Sequence, residues 1–240
     1  MLYCNCHCAT KLASIRTHDS AQPINKERGL FNIEEFLLPD VNHSPTVRIL
    51  GMAGSLRKNS YNRAALKIAQ QLTPSNAIME ITELDTIPLY NQDLDMHMPQ
   101  SVLEFKGKIE ATDAILFATP EYNHSISGVL KNAIDWASRP YGKSSWDSKP
   151  VAVMGASSGA VGTARAQEHL RQIFGTLNMH PLNRPEVLIS RSAEKFDKGG
   201  NLADEMTRTK IKELVRALVD WTIRLNNNKN NNIFGESHRI

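Results

Sequence analysis

Cysteine is scarce in this chain, and its distribution excludes a disulfide framework. The sequence of 240 residues contains three cysteines, and all of them lie among the first eight positions, at Cys4, Cys6 and Cys8. The remainder of the chain therefore has no disulfide. Structural zinc sites use cysteine pairs separated by two residues together with a second pair elsewhere, and this cluster lacks that pattern. We therefore predict no metal site and expect the cluster to belong to a leader outside the folded core.

Long hydrophobic runs and an excess of charge of one sign are also absent. No apolar stretch reaches the roughly 20 residues of a transmembrane helix. The first eight residues lack the basic and apolar segments of a secretion signal. Lysine plus arginine number 28 against 25 for aspartate plus glutamate, so the formal net charge of +3 does not indicate a nucleic-acid or membrane partner. We therefore expect a soluble, cytoplasmic protein that binds neither nucleic acid nor membrane.

Short apolar runs alternate with segments of helical periodicity from Thr46 onward. This alternation is typical of an α/β domain with a doubly wound, five-stranded parallel sheet and helices on both faces. The predicted strands are Val47–Met52, Ala77–Leu84, Ala114–Thr119, Pro150–Gly155 and, with a weaker pattern, Pro185–Ile189. Ligands of such sheets bind beyond the carboxyl ends of the strands, at the switch in strand order. We therefore expect the loops after strands one, three and four to converge.

Two helices are predicted from apolar residues that recur at helical spacing. The first begins near Ser60 and carries Ala65, Ile68, Ala69 and Leu72 on one face. The last carries Ile211, Leu214, Val215, Leu218, Trp221 and Leu225 on one face. An asparagine run follows, and it offers no apolar surface to a core. We therefore predict an N-terminal extension over residues 1–44, one domain over 45–226 and a disordered, asparagine-rich tail over 227–240.

The loop after the first predicted strand carries hydrogen-bond donors suited to an anion. Ser55 and Arg57 precede the predicted helix start at Ser60, and Asn62 lies in the first helical turn. A helix N-terminus presents unpaired backbone N–H groups and a partial positive charge, which favour a phosphate. The glycines of a dinucleotide or Walker loop are missing, so a monophosphate is favoured. The alternative is structural, with Ser60 as a helix cap and Arg57 as an ordinary surface charge.

Polar and aromatic residues follow two further strands. Those after the third strand are Pro120, Glu121, Tyr122 and Asn123, and those after the fourth are Ser157, Ser158 and Gly159. The third-strand loop presents backbone amides and an aromatic face, which suit a flat heterocycle. The alternative is a plain turn before a helix.

Together, Gly54–Asn62 and Pro120–Trp136 resemble the NADPH-dependent FMN reductase family, most closely its bacterial chromate and quinone reductases. The resemblance extends through Ile87–Tyr90 and Ser157–Leu177 and covers roughly residues 46–225. It implies a flavodoxin-like fold, bound FMN, NADPH or NADH as the hydride donor, and a homodimer or homotetramer. It also implies a small-molecule electron acceptor among quinones, flavins, azo compounds and chromate-like oxidants.

The resemblance also implies a role for each site residue. The residues expected to bind the FMN phosphate are Ser55, Arg57, Ser60 and Asn62. Those expected to line the isoalloxazine and ribityl side are Pro120, Glu121, Tyr122 and Asn123. Those expected to approach the ring are Ser157, Ser158 and Gly159. No catalytic side chain is expected, because the flavin carries the hydride. Ser127 stands where relatives usually have proline, so we expect a less rigid loop and a less firmly held flavin.

Two other functions are compatible with parts of the sequence. A non-enzymatic electron carrier of flavodoxin type shares the fold and the cofactor, although flavodoxins are usually acidic and this chain is mildly basic. A serine hydrolase would use Ser157, because Gly155–Gly159 matches the nucleophile elbow Gly-x-Ser-x-Gly. That reaction needs a later histidine. The candidates are His169 in a predicted helix, His180, and His238 in the tail, and none is well placed.

Overall fold

The structure is a computed structural model that describes residues 46–197 and 199–235, with side chains up to residue 228. The predicted N-terminal extension, including Cys4, Cys6 and Cys8, lies outside the described residues, as do the last five residues. Within the described ranges, no helix combines the length and apolar character that a membrane span requires.

A parallel sheet forms the centre of the fold. Its strands are β1 (Val47–Ala53), β2 (Ala77–Thr82), β3 (Ala114–Ala118), β4 (Pro150–Ala156), β5 (His180–Pro181) and β6 (Val187–Ile189). The hydrogen-bonded order is β2, β1, β3, β4, and both β5 and β6 pair with β4. Every pairing is parallel, so these strands end at the same edge of the sheet. The doubly wound, flavodoxin-like sheet predicted from the sequence is confirmed.

The fifth position of the sheet differs from its prediction. One strand is predicted over Pro185–Ile189, whereas two short segments pair with β4 and residues 183–186 leave the sheet between them. Proline has no backbone N–H to donate, and within sheets it is confined to edge strands, the first residues of strands and bulges. Pro181 ends β5, and Pro185 follows a cis peptide bond in the intervening segment. The edge strand is therefore interrupted where backbone donors are missing.

Helices cover both faces of the sheet. They are α1 (Tyr61–Gln71), α2 (Gln100–Glu110), α3 (Gly128–Ala137), α4 (Ala164–Thr176), α5 (Ser192–Lys195) and α6 (Glu205–Gly235). Side chains of α1 and α6 belong to one buried cluster, and those of α2, α3 and α4 belong to another. Successive strand residues point to opposite faces, so Ile49 lies in the first cluster and Leu50 in the second. One set of strands thus supports two cores.

Most residues of the two predicted apolar helix faces are buried, whereas Leu72, Trp221 and Leu225 are half-buried. The fully buried members of the two faces include Ala65 and Ala69 on α1 and Ile211, Val215 and Leu218 on α6. The end of α6 differs from its prediction, because the helix continues through the asparagine run to Gly235 where a disordered tail is predicted. Once the buried face has established a helix, each further residue adds a backbone hydrogen bond without a new nucleation cost. The helical backbone therefore extends beyond the apolar pattern.

A buried lysine holds the segment between α3 and β4. Lys106 on α2 donates from Nζ to the carbonyl oxygens of Ala137 at 3.1 Å and Lys143 at 3.2 Å. Burial lowers the pKa of Lys106, and the nearby Glu110 carboxylate partly offsets this effect. The lysine thereby links α2 to the carboxyl end of α3, the helix that follows the third-strand loop.

Candidate functional site

Three loops meet at the edge where the parallel strands end. They follow β1, β3 and β4, and the strand order reverses between β1 and β3. A crevice of about 180 Å³ lies among them, which we call the three-loop crevice. Its lining residues are Ser55, Arg57, Ser60, Tyr61, Asn62, Pro120, Glu121, Tyr122, Ala156, Ser157 and Ser158. The structure therefore brings together all the predicted site residues except Asn123 and Gly159.

Two lining residues were not predicted from the sequence. Tyr61 is the first residue of α1, and Ala156 is the last residue of β4. Each directly adjoins a predicted site residue, Ser60 in one case and Ser157 in the other. The sequence indicated these two residues only through their positions at the predicted ends of a helix and a strand. The motifs themselves do not distinguish them from other residues.

The loop between β1 and α1 adopts the predicted helix start. Ser60 is the N-cap of α1, and its Oγ accepts a hydrogen bond from the backbone N–H of Arg63 at 3.4 Å. The Oγ of Ser55, a buried residue, accepts from the backbone N–H of Arg57 at 3.4 Å. The guanidinium of Arg57 is exposed and has no ion-pair partner within the described part of the chain. Both serines therefore have structural partners and still line the crevice.

A short hydrogen bond joins the first loop to the third-strand loop. The Oγ of Ser127 donates to the carbonyl oxygen of Gly54 at 2.6 Å and accepts from the N–H of Leu130 at 3.2 Å. A Cβ on Gly54 would lie 3.1 Å from Pro120 Cδ and 3.1 Å from Leu130 Cβ. The absence of a side chain at Gly54 allows the two loops to approach this closely.

Asn62 links the start of α1 to the end of β4. Its Nδ2 donates to the carbonyl oxygen of Ala156 at 2.9 Å, and its Oδ1 accepts from the N–H of Ala156 at 2.8 Å. The side chain is buried, with only 3% of the residue exposed. Asn62 thus satisfies two backbone groups that no longer pair within the sheet. Its role in positioning two crevice loops could not be read from the motif alone.

The third-strand loop contains a tight turn from Tyr122 to Ser125. The N–H of each of these residues donates to the carbonyl oxygen of the other, at 3.0 and 2.9 Å. The central residues Asn123 and His124 have φ values of 51° and 62°, a left-handed conformation that asparagine tolerates well. The ring of Tyr122 remains 49% exposed beside the crevice. Asn123 therefore adjoins the crevice through the turn without lining it.

Glu121 connects the third-strand loop to α4. Its Oε2 accepts hydrogen bonds from the backbone N–H groups of Arg165 at 3.0 Å and Ala166 at 3.1 Å. The N-cap residue Thr163 provides no side-chain cap of its own. A carboxylate at a helix N-terminus satisfies unpaired donors and opposes the positive end of the helix dipole. Glu121 therefore caps α4 from a neighbouring loop.

The loop after β4 does not form a hydrolase site within the described residues. The Oγ of Ser157 accepts from the N–H of Gly159 at 3.1 Å, and no described histidine hydrogen-bonds to it. His169 instead pairs its Nδ1 with the Oγ of Ser125 at 2.9 Å, and His238 lies outside the described residues. A serine nucleophile needs a base within hydrogen-bond reach. The match to the nucleophile elbow is therefore one of sequence only.

Comparison with known proteins identifies the family of this chain. The family described as NADPH-dependent FMN reductase matches residues 47–194. An NAD(P)H-dependent FMN reductase of Pseudomonas aeruginosa is 50% identical over 183 residues, covering 76% of this chain and 98% of the relative. A 2-hydroxy-1,4-benzoquinone reductase of a Burkholderia species is 40% identical, covering 73% of this chain and 96% of the relative.

A solved structure gives the same result. The flavoenzyme NAD(P)H:acceptor oxidoreductase FerB of Paracoccus denitrificans is 40% identical and superimposes with a TM-score of 0.69, covering 74% of this chain and 98% of its own. These likenesses favour an enzyme over a simple electron carrier. The chain belongs to the NADPH-dependent FMN reductase family, and it is an FMN-dependent NAD(P)H oxidoreductase, as the sequence predicts.

Proposed function

We propose that the three-loop crevice is the FMN site and that quinones are the principal electron acceptors. The observation that carries this proposal is the convergence of three separate loops, each predicted to contact the flavin, on one crevice. The residues proposed for the phosphate are Ser55, Arg57, Ser60 and Asn62. Those proposed for the ring and ribityl chain are Pro120, Glu121, Tyr122, Asn123, Ser157, Ser158 and Gly159.

A phosphate fits the loop between β1 and α1. In the described part of the chain, the backbone N–H groups of Leu56, Lys58 and Asn59 donate to no protein group. Several free N–H groups at a helix start, together with the positive charge of Arg57, form the donor set that a phosphate monoester needs. Asn62 contributes by fixing α1 against β4, with one Nδ2 hydrogen left for a ligand.

The loops after β3 and β4 suit the edge of a flavin ring. Across residues 46–197, the backbone N–H groups of Asn123 and Ser158 have no protein acceptor. Fixed dipoles of this kind stabilise negative charge that develops on a bound ring. Bound FMN would supply hydride acceptance and donation. The protein's contribution is to hold these donors in place before the ring binds.

The small size of the crevice favours a flavin ring that NAD(P)H and the electron acceptor contact in turn. Sites that enclose a whole small molecule typically measure about 300–1,000 Å³, whereas this crevice measures about 180 Å³. It suits the phosphate and ribityl chain, and it leaves the ring near the mouth beside the half-exposed Tyr122. An exposed ring admits NAD(P)H and then a flat acceptor at the same face.

Quinones are the acceptor class that the relatives favour. Proteins named quinone reductase or quinone oxidoreductase occur among the bacterial and plant relatives, including one from Arabidopsis thaliana that is 41% identical and of which this chain covers 94%. We propose free flavins, azo compounds and chromate-like oxidants as secondary acceptors. An open site accepts flat molecules of different outline more readily than an enclosed one.

The test is to purify the protein, record its visible spectrum and add NADPH without oxygen, followed by 1,4-benzoquinone. We expect a flavin spectrum that NADPH bleaches and benzoquinone restores. A protein that takes up no FMN when it is supplied contradicts the proposal. If FMN binds and NADPH bleaches it no faster than free FMN, the electron-carrier alternative is correct.

Two substitutions test the site directly. We expect Arg57→Ala to weaken FMN retention about tenfold, the size of one charge-assisted hydrogen bond. Arg224→Ala, which removes an exposed arginine on α6, is the matched control. Ser157→Ala should preserve flavin reduction, and loss of an esterase activity in this variant would restore the hydrolase alternative.

We also propose a homodimer or homotetramer. Leu89, Met96 and Tyr141 are 86%, 80% and 93% exposed, which is unusual for large apolar side chains and favours a protein contact. Light scattering on the purified protein should give a mass of two or four chains. Replacing Leu89 or Met96 with aspartate should lower that mass, and a wild-type monomer contradicts the proposal.

The remaining proposals concern the boundaries and location of the protein. We propose that residues 45–226 form the reductase domain and that it works in the cytoplasm without nucleic acid or membrane, as its balanced charge favours. A chain limited to residues 45–226 should retain FMN and its reduction by NADPH. Loss of both activities from a folded truncated chain would place essential residues outside these boundaries.

A further inference from the structure

A second crevice lies along α1 beside the three-loop crevice. It has a volume of about 540 Å³ and is bounded on one side by α1 and on the other by Asp197, residues 199–202 and the start of α6. Five cationic side chains line it: Arg57, Lys58, Arg63, Lys67 and Arg208. We call it the cationic crevice.

Most of this positive charge has no protein partner. Arg63 forms an ion pair with Glu83. Among the described residues, no carboxylate forms an ion pair with Lys58, Lys67 or Arg208. Concentrated unpaired cations in a concave surface attract an anionic ligand.

One carboxylate also lines the cationic crevice, but it is engaged within its own loop. The Nδ2 of Asn201 donates to Asp197 Oδ2 at 2.9 Å, and the N–H of Asn201 donates to Oδ1 at 2.8 Å. These hydrogen bonds hold the pKa of Asp197 below its usual range, and the bond from the Asn201 side chain has the larger effect. The carboxylate therefore stabilises the loop and leaves the lysine and arginine charges available.

The cationic crevice is continuous with the FMN site but too long for the FMN phosphate alone. Arg57, Ser60 and Tyr61 line both crevices. Lys67 lies six residues beyond Tyr61, which is about 9 Å along a helix axis. The cations nearest the helix start are therefore better placed than Lys67 to contact a phosphate held there. The outer cations therefore suit a second phosphorylated molecule that approaches the flavin.

We propose that the cationic crevice binds the 2′-phosphate of NADPH, so that Lys67 and Arg208 make the protein prefer NADPH to NADH. The inference rests on the proposed FMN site, because the nicotinamide must reach the flavin while the phosphates lie on the adjoining surface. NADH lacks only this phosphate, which carries about 1.5 to 2 negative charges at neutral pH. A lysine and an arginine that line the same crevice can form charge-assisted hydrogen bonds with this phosphate.

The kinetic test compares the two donors in the FMN-loaded protein, with 1,4-benzoquinone as acceptor. We expect the wild-type protein to have a higher kcat/KM for NADPH than for NADH. Lys67→Ala and Arg208→Ala should each lower kcat/KM for NADPH about tenfold through KM, and should change the value for NADH less than twofold. Arg208→Lys should retain most of the preference. Lys210→Ala, which removes an exposed cation on α6 outside the crevice, is the control.

Binding measured by calorimetry provides a second readout. Adenosine 2′,5′-bisphosphate should bind the wild-type protein, bind Arg208→Ala about tenfold more weakly, and bind more tightly than 5′-AMP. Equal affinity for the two nucleotides overturns the proposal, as do equal kcat/KM values for NADPH and NADH in the wild type or parallel losses for both donors in the variants. The FMN content of each preparation separates these failures from failure of the FMN site itself.

Discussion

The hydroxyl of Ser127 donates a 2.6 Å hydrogen bond to the carbonyl oxygen of Gly54, 73 residues earlier in the chain. Proline, which the resemblance to the family leads us to expect at this position, has no hydroxyl and makes no such bond. A serine at this position therefore lacks the rigidity of proline, but its hydrogen bond directly links two crevice loops. The same hydroxyl accepts from Leu130 N–H and so caps α3.

Ser127→Ala should loosen both loops. The variant loses the bond to Gly54 and the helix cap, so we expect the free energy of unfolding to fall by about 1–3 kcal/mol and FMN to bind more weakly. Ser127→Pro should lose less stability, because the φ of −69° already suits proline. Urea unfolding and FMN titration measure both effects. Ser138→Ala at the other end of α3 is the control, and equal FMN affinity in Ser127→Ala contradicts the prediction.

Asn62→Ala should lower the stability of the protein even when no FMN is bound, apart from any effect on the proposed phosphate contact. The substitution leaves the N–H and the carbonyl oxygen of Ala156 unsatisfied, at about 1–3 kcal/mol for each buried group. Asn62→Asp keeps the acceptor and loses the donor, so we expect an intermediate loss. Denaturant unfolding without FMN measures the effect, with Asn59→Ala as the exposed control in the same loop. A change in the free energy of unfolding below about 0.5 kcal/mol would show that Asn62 does not have this structural role.

Glu121→Ala should weaken the connection between the third-strand loop and α4. We expect a loss of about 1–2 kcal/mol in the free energy of unfolding because the helix loses its cap, together with weaker FMN binding. Glu121→Gln keeps a neutral acceptor and should lose less of both. Glu168→Ala, an exposed position on α4, controls for charge removal. If Glu121→Ala lowers FMN affinity without lowering stability, the carboxylate contacts the flavin directly.

Gly155 and Gly107 form a matched pair of glycines. A Cβ on Gly155 would lie 2.0 Å from Thr163 Oγ1 and 2.4 Å from the carbonyl oxygen of Thr119, whereas one on Gly107 in α2 meets nothing within 4 Å. Gly155→Ala should therefore cost at least about 3 kcal/mol or prevent folding. Gly107→Ala should stabilise by about 0.5–1 kcal/mol through helix propensity. Thermal unfolding distinguishes them, and similar values for both variants contradict the prediction.

Lys106 should make stability depend on pH at the alkaline end. Burial lowers its pKa in the folded protein below the ordinary value of 10.5, so the unfolded chain binds more protons as the pH approaches that value. The free energy of unfolding of the wild type, relative to Lys106→Met, should therefore rise with pH in this range. The same comparison near pH 7, where the lysine is protonated in both states, gives the baseline. A difference that stays constant up to pH 10.5 contradicts the prediction.

Much of the fold could be predicted because its signals are local. The apolar face of α1, the start of that helix at Ser60 and four of the five strand positions follow from spacing within about ten residues. The edge strand and the end of α6 could not be predicted as well. Prolines interrupt the edge strand, and helix propagation extends α6 past its apolar pattern.

The site shows the same division. The sequence by itself identified the three loops that meet at the crevice, because Ser55, Arg57, Tyr122 and Ser157 each follow a strand in a recognisable motif. Only the tertiary structure decided the partners of Asn62, Glu121 and Ser127, and the alignment of Lys67 with Arg208 along one crevice. The paired residues lie 44 to 141 positions apart in the chain, and they come together only after the strand order β2, β1, β3, β4 has brought the loops and helices that carry them to one region of the fold.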